Sequence, residues 1–78
     1  MTMIDILFFG RIADIMGRRR LSLDLPEGGL SLLALRAQLF TPHGDVTPLM
    51  SVNQQVESGD RPLSDGDEVA FFSVFSGG

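Results

Sequence analysis

The sequence predicts an α+β domain in which one main helix covers one face of a mixed sheet of about five strands. Three observations predict this class. Strand-like segments occur near both ends of the chain, a leucine-rich helical segment lies between them, and the elements do not alternate strictly as in a wound parallel sheet. A chain of 78 residues has room for one compact core. We therefore expect one domain over residues 1–74, followed by a flexible tail over residues 75–78.

The first strand is predicted over residues 3–9, where β-branched and aromatic residues dominate. Its single charge, Asp5, assigns the two faces because side chains alternate along a strand. With Asp5 outward, Ile4, Ile6 and Phe8 point into the core. Phe9 then lies on the outer face, where an aromatic ring is unexpected.

A short helix, a half-buried strand and the main helix follow. The short helix stops at Gly17, and its apolar residues have helical spacing: Ile12, Ile15 and Met16. Leucines alternate with polar residues over 20–25 until Pro26, which indicates a strand with one buried face. Ser31 is a good N-cap for the main helix, which ends before Pro42. The predicted apolar face of this helix consists of Leu32, Leu35 and Leu39.

Three further strands are predicted over residues 49–53, near Val56, and over residues 68–74, with turn-forming residues between them. If Glu68, the charge at the start of the last strand, points outward, Val69 and Phe71 are buried. The same alternation places on the solvent side Ala70, Phe72 and Val74. The open face of the sheet is therefore predicted to carry two aromatic rings, Phe9 and Phe72.

Composition excludes several classes of function. The net charge of −4 disfavours binding to nucleic acid. The chain has no cysteine and a single histidine, so a zinc or iron site is not expected. No segment approaches the ~20 apolar residues that span a bilayer, and no secretion signal is recognisable, so we expect a cytoplasmic protein without membrane contact. The arginines at positions 18–20 are predicted to form a solvated turn, with docking to an acidic partner as the alternative.

The tail is the segment that packing does not explain. Two glycines, Gly77 and Gly78, follow the last strand, and such a segment can enter a narrow channel. Its α-carboxylate has an ordinary pKa of about 3.5 and is a poor electrophile near neutral pH. Activation through an acyl adenylate needs a phosphate loop with a lysine, which this chain lacks, so another protein must supply it. The absence of lysine and cysteine also means that no side-chain amine or thiol of this chain can capture the activated end.

Three segments resemble the small subunits of molybdopterin synthase, a family of ubiquitin-like sulfur carriers. The segments are Ile6-Leu7-Phe8-Phe9-Gly10, Val52-Asn53-Gln54, and Asp65-Gly66-Asp67-Glu68-Val69-Ala70-Phe71-Phe72 leading to Ser76-Gly77-Gly78. The similarity runs from near Met3 to the last residue, and the middle helix matches in pattern alone. The chain departs from the family at Ser73-Val74-Phe75, where members often carry two prolines and an aliphatic residue. This difference bears on the stiffness of the tail and not on its chemistry.

The resemblance implies a β-grasp fold and a sulfur-transfer cycle. An activating enzyme would adenylate Gly78 with ATP and Mg, and a sulfur donor would convert it to a thiocarboxylate, with no cofactor bound by this chain. The tail, threaded by way of Gly77, would then enter the large synthase subunit and pass its sulfur to cyclic pyranopterin monophosphate. The implied assembly has two small and two large subunits, with the other catalytic groups on the large one. The implied partner interface comprises Phe9, Val56, Phe72, Phe75 and Ser76.

Three alternatives remain open at the level of sequence. A sulfur carrier for thiamine thiazole synthesis shares the fold and the Gly-Gly end, although the short helix after the first strand and the Phe-Phe pair favour the molybdopterin member. A ubiquitin-like modifier would instead form isopeptide bonds between Gly78 and lysines of target proteins. A plain interaction module would work equally well without its last two glycines.

Overall fold

The computed structural model describes residues 2–44 and 48–73. The strands are β1 (Met3–Phe8), β2 (Arg20–Asp24), β3 (Leu49–Val52), β4 (Gln55–Glu57) and β5 (Glu68–Phe72). The helices are α1 (Gly10–Met16) and α2 (Leu32–Phe40), and one turn of 3-10 helix, Thr41–His43, extends α2. The strands form one sheet in the order β2-β1-β5-β3-β4. Because β1 and β5 are parallel and the other pairs antiparallel, the predicted α+β class with a mixed sheet is confirmed.

The core lies between the sheet and the two helices, and its strand residues are those that alternation predicted. Ile4, Ile6 and Phe8 of β1 are buried, as are Val69 and Phe71 of β5. Leucines 32 and 35 of α2 are fully buried against them. The predicted inner faces of the first and last strands are therefore confirmed, and that of the main helix is confirmed at Leu32 and Leu35.

Three phenylalanine rings form the centre of this core. The ring of Phe71 lies 5.1 Å from that of Phe40, edge to face, and is stacked 6.1 Å from that of Phe8, measured between centroids. Phe40 was not predicted to be buried, whereas the predicted Leu39 is half-buried. Phe40 is the last residue of α2, where the chain tightens into the 3-10 turn and helical spacing no longer decides which side chain points inward.

The structure corrects four strand ends and one burial. The first two strands were predicted to reach residues 9 and 25, and each ends one residue earlier, at Phe8 and at Asp24. Residue 53 was predicted to end β3, but Asn53 and Gln54 have φ angles of 51° and 71° and form the two-residue turn to β4. The last strand was predicted to reach residue 74; it ends at Phe72, and Val74 lies outside the described residues. Ala70 was predicted on the solvent side, but it is only 8% exposed. It faces outward from the central strand and is covered because strands flank it on both sides.

Capping residues set the end of α1 and the start of α2. Gly17 ends α1 in the left-handed conformation at a φ of 75°, as predicted for a helix stop. At the start of α2, the hydroxyl of Ser31 accepts a hydrogen bond from the backbone N–H of Ala34 at 3.2 Å. Asp60 adds a second cap from a distant loop, because its carboxylate accepts from the backbone N–H of Leu33 at 2.9 Å. Among the described residues, neither helix is long and apolar enough to cross a membrane.

The cap formed by Asp60 should stabilise the fold in a way that depends on pH. The hydrogen bond from Leu33 lowers the pKa of the Asp60 carboxyl below its ordinary value of 3.8, with further hydrogen bonds from Ser31 and Arg61 acting in the same direction. A pKa that is lower in the folded state means that the carboxylate stabilises the fold above its ordinary pKa and stops doing so as pH falls through the folded value. The difference in free energy of unfolding between wild type and Asp60→Asn should therefore shrink on acidification below about pH 4.

Urea denaturation of both proteins across the acidic range measures this difference. Glu27→Gln serves as the control, because Glu27 is an exposed acid with no side-chain hydrogen bond among the described residues. Its stability should follow the wild-type pH profile. Parallel profiles for wild type and Asp60→Asn would show that the cap does not stabilise the folded state through its charge.

Candidate functional site

The open face of the sheet, opposite α2, carries a cluster of apolar side chains. Pairing register places Leu7, Ala70, Ser51 and Val56 in one row across four strands. A second row begins immediately beyond β1, where the backbone N–H of Phe9 donates to the carbonyl of Phe71 at 3.1 Å. We define the apolar patch by the five large side chains of these two rows: Leu7, Phe9, Leu49, Val56 and Phe72.

Exposure differs across the apolar patch. Phe9 is 51% exposed and Val56 is 71% exposed, which are high values for large apolar residues. Phe72 is half-buried because it lies on the central strand, with β1 on one side and β3 on the other. The structure thus brings Phe9, Val56 and Phe72, all predicted as interface residues, to one face. A contiguous apolar surface of this kind is typical of a site for a protein partner.

Sequence reasoning missed Leu49 as a member of the apolar patch. Leu49 pairs with Phe72 in the register of β3 and β5 and is 38% exposed. The signal was present in the alternation of β3, since Leu49 and Ser51 must share a face and Ser51 is the polar residue of that strand. A face assignment for β3 would have found it.

The other half of the open face is polar. The Ser22 hydroxyl donates to the Asp5 carboxylate at 2.9 Å, and the Arg20 guanidinium lies 3.5 Å from the same group. Glu68 is opposite Asp5 in the pairing of β1 and β5. Apolar and polar side chains are therefore segregated along β1 and β5, with the apolar patch at the end of the sheet where these parallel strands both finish, whereas Arg20 of β2 is paired with Leu7 and borders the patch.

The remaining predicted site residues, Phe75, Ser76, Gly77 and Gly78, lie outside the described residues. Phe72, the last residue of β5, precedes Gly78 by six positions. The described chain therefore ends next to the apolar patch, at Ser73. Within residues 2–44 and 48–73, no three acidic or histidine side chains are grouped so that they could hold a metal ion.

The turn after β3 and the turn before β5 have a structural role that can be read from their hydrogen bonds. The side chain of Asn53 donates to the buried Asp67 carboxylate at 3.0 Å and accepts from the backbone N–H of Glu68 at 3.0 Å. Asp67 also accepts from the backbone N–H of Ser64 at 2.8 Å. Asp65 accepts from the backbone N–H of Met3 at 2.8 Å. These bonds join the turn before β5 to β1 and β3, and so hold the strands that carry the apolar patch in register.

Comparison with solved structures confirms the predicted β-grasp fold. The putative molybdopterin converting factor, subunit 1 from Pyrococcus furiosus superposes with a TM-score of 0.77 at 23% identity, covering 94% of this chain and 98% of that chain. SAMP1 from Haloferax volcanii superposes with a TM-score of 0.70 at 21% identity, covering 97% of this chain and 99% of that chain. At these identities the likeness establishes the fold alone.

Comparison of sequences establishes the family. Residues 6–78 match the ThiS family. The molybdopterin synthase sulfur carrier subunit of Escherichia coli (strain K12) is 35% identical over 85 aligned residues, which cover 97% of this chain and 100% of that protein. The resemblance noted in the sequence is thereby confirmed, and the chain belongs to the ThiS family.

Proposed function

We propose that this protein is the sulfur carrier subunit of a molybdopterin synthase and acts in the cytoplasm. The observation that carries the proposal is the 35% identity with a relative of that name, because the alignment covers nearly the whole of both chains. The apolar patch supports it, since a carrier with no catalytic groups of its own needs a surface by which other proteins hold it. The patch lies at the end of the sheet where the residues leading to Gly78 begin.

The reactive group in this proposal is the α-carboxylate of Gly78. An activating enzyme brings ATP and Mg, and a carboxylate oxygen attacks the α-phosphorus to form an acyl adenylate with release of pyrophosphate. Hydrosulfide supplied by a sulfur donor then attacks the acyl carbon and AMP leaves, so that sulfur takes the place of the oxygen that had been linked to phosphorus. The product is a thiocarboxylate, a soft nucleophile that needs protection from water until it is used. In this proposal the groups that catalyse these steps belong to the partner proteins, and the folded domain provides the surface to which those proteins bind.

The large synthase subunit is the proposed second partner, in an assembly of two small and two large subunits. Residues 73–78 have a maximum reach of about 20 Å when fully extended, which is enough to enter a deep site while the folded body stays outside. There the thiocarboxylate sulfur attacks cyclic pyranopterin monophosphate to form a thioester, and water cleaves the bond between sulfur and the acyl carbon, which leaves the sulfur on the pterin and returns Gly78 as a free carboxylate. A dithiolene contains two sulfur atoms and each thiocarboxylate carries one, so each product molecule consumes two loaded tails.

Reconstitution tests this function directly. The protein is thiocarboxylated chemically, mixed with a large synthase subunit and the pterin precursor, and assayed for the dithiolene product. Formation of product supports the proposal. Failure here combined with sulfur transfer to a thiazole-forming system would assign the chain to thiamine synthesis instead.

The apolar patch predicts a selective loss of partner binding. Phe9→Glu should weaken the complex with the large subunit by at least about thirtyfold, because a buried aromatic anchor typically contributes about 2 kcal/mol or more. Met3→Glu is the matched control: Met3 is also an exposed apolar residue on the outer face of β1, at 40% exposure, but lies at the polar end. Isothermal titration calorimetry of both variants measures the difference. Equal losses would mean that the apolar patch is not the docking surface.

A further inference from the structure

The edge strand β2 has a charge pattern that is complementary to that of a second, antiparallel copy of the same strand. β2 ends the sheet on one side, and every residue of the strand is exposed or half-buried. Basic residues precede Ser22 and acidic residues follow it, with Leu21 and Leu23 placed symmetrically on either side. An edge strand with unpaired backbone groups is a template for a further strand. The symmetric arrangement of charges about Ser22 indicates that the strand that fits is β2 of a second copy of this chain.

The hydrogen bonds to β1 show which backbone groups of β2 are open. The Phe8 N–H donates to the carbonyl of Arg19 at 2.9 Å, and the Leu25 N–H donates to the carbonyl of Thr2 at 2.8 Å. Alternate residues of an antiparallel strand bond to the same neighbour, so the odd-numbered residues of β2 face β1. The N–H and C=O groups of Arg20, Ser22 and Asp24 therefore point away from the sheet.

We propose that two copies of this chain pair through β2, antiparallel, with Ser22 of each copy opposite Ser22 of the other. In this register Arg20 lies opposite Asp24 of the second copy, and Asp24 lies opposite its Arg20. The three residues whose backbone groups point away from β1 then form hydrogen-bonded pairs with the second copy. On the inner face, Leu21 meets Leu23 of the second copy, which covers two leucines that are half-buried in the single chain.

Charge complementarity favours this register, because a shift by two residues in either direction loses both pairs of Arg20 with Asp24 and places one of these residues opposite Ser22. Cross-strand pairs of opposite charge stabilise a sheet, and like charges directly opposite destabilise it. The contact between Arg20 and Asp5 within one copy is long, at 3.5 Å, and both side chains are largely exposed, so it competes weakly for the guanidinium.

The pairing leaves the apolar patch free. The patch residues lie on β3, β4, β5 and β1 and, for Phe9, one residue beyond β1, whereas the contact is made by the free edge of β2. Antiparallel pairing continues the two sheets into one, with both patches on the same side. The inference therefore does not depend on the sulfur chemistry. One short edge contact is small for a protein interface, so the dimer should be weak, with a dissociation constant on the order of 0.1 mM.

A charge-swap experiment on the full chain tests the proposal. Arg20→Asp places like charges opposite each other in the dimer, as does Asp24→Arg, and each should weaken association at least about tenfold in sedimentation equilibrium. The double variant R20D/D24R should recover it, and an equimolar mixture of the two single variants should form a mixed dimer. Arg36→Asp, an equal change of charge on α2, is the control and should leave association unchanged.

Hydrogen exchange provides a readout that needs no variant. In concentrated wild-type protein the amides of Arg20, Ser22 and Asp24 should become protected, while they exchange freely on dilution. Any of three results overturns the proposal: a wild-type monomer at about 1 mM, a dimer that both single substitutions leave intact, or two folded single variants that fail to associate when mixed. Thermal unfolding of each variant establishes that it is folded.

Discussion

Addition of one alanine after Gly78 is expected to abolish sulfur-carrier activity, by at least about a thousandfold, without changing the free energy of unfolding. The proposed reactive group is the α-carboxylate of Gly78, and the extension moves it one residue further and places a methyl group beside it. A site shaped for a glycine tail then holds the carboxylate away from the position for adenylation. The strands and helices of the described domain end at Phe72 and are not altered.

The activity of the extended protein is measured by mass spectrometry of the exchange of oxygen for sulfur at its end, after incubation with the activating enzyme and sulfur donor. One alanine placed before Met1 is the matched control, because it adds the same group at the other terminus and should keep full activity. Unchanged activity of the Gly78-extended protein would remove the basis of the proposed function. The same spectra distinguish a modifier, which would appear as isopeptide bonds between Gly78 and lysines of other proteins.

Local sequence patterns predicted most of the fold because each pattern involves neighbouring residues. One charge, Asp5, was enough to assign both faces of β1, and the leucines of residues 20–25 identified β2 as half-buried. Burial that depends on distant partners was not predictable in this way. Ala70 is covered because of which strands lie beside it, and Asp60 caps a helix that begins nearly thirty positions earlier in the chain. Neither the burial of Ala70 nor the cap by Asp60 corresponds to a pattern in the neighbouring residues.

The same distinction between local patterns and distant partners applies to the candidate site. Alternation placed Phe9 and Phe72 on the outer face, and their meeting on adjoining strands followed from the parallel pairing of β1 and β5. Leu49 joined them through pairing with Phe72, which no local pattern specifies. The chemistry of Gly78 stays a prediction, because it depends on the activating enzyme and the large subunit. In the proposed function the reactive group is the backbone carboxylate of Gly78, which leaves no cluster of catalytic side chains for a sequence pattern to reveal.

The other large expected effect concerns the core. Phe71→Ala should cost about 3–5 kcal/mol, since it removes a fully buried ring that contacts two others. A domain of this size that has no cysteine, and so no disulfide, has a net stability of roughly 3–5 kcal/mol, so the variant should be largely unfolded at room temperature. Urea denaturation followed by circular dichroism measures the loss.

Phe72→Ala is the control that isolates burial, because it removes the same side chain from the next residue of the same strand. Phe72 points to the open face and is half-buried, so its loss should cost about 1–2 kcal/mol and leave a folded protein. That variant should still bind the large subunit less tightly, because Phe72 belongs to the apolar patch. Equal destabilisation by the two substitutions would contradict the assignment of faces in β5. Unequal destabilisation with weaker binding by the folded variant separates the residue that holds the domain together from the residue that presents it to a partner.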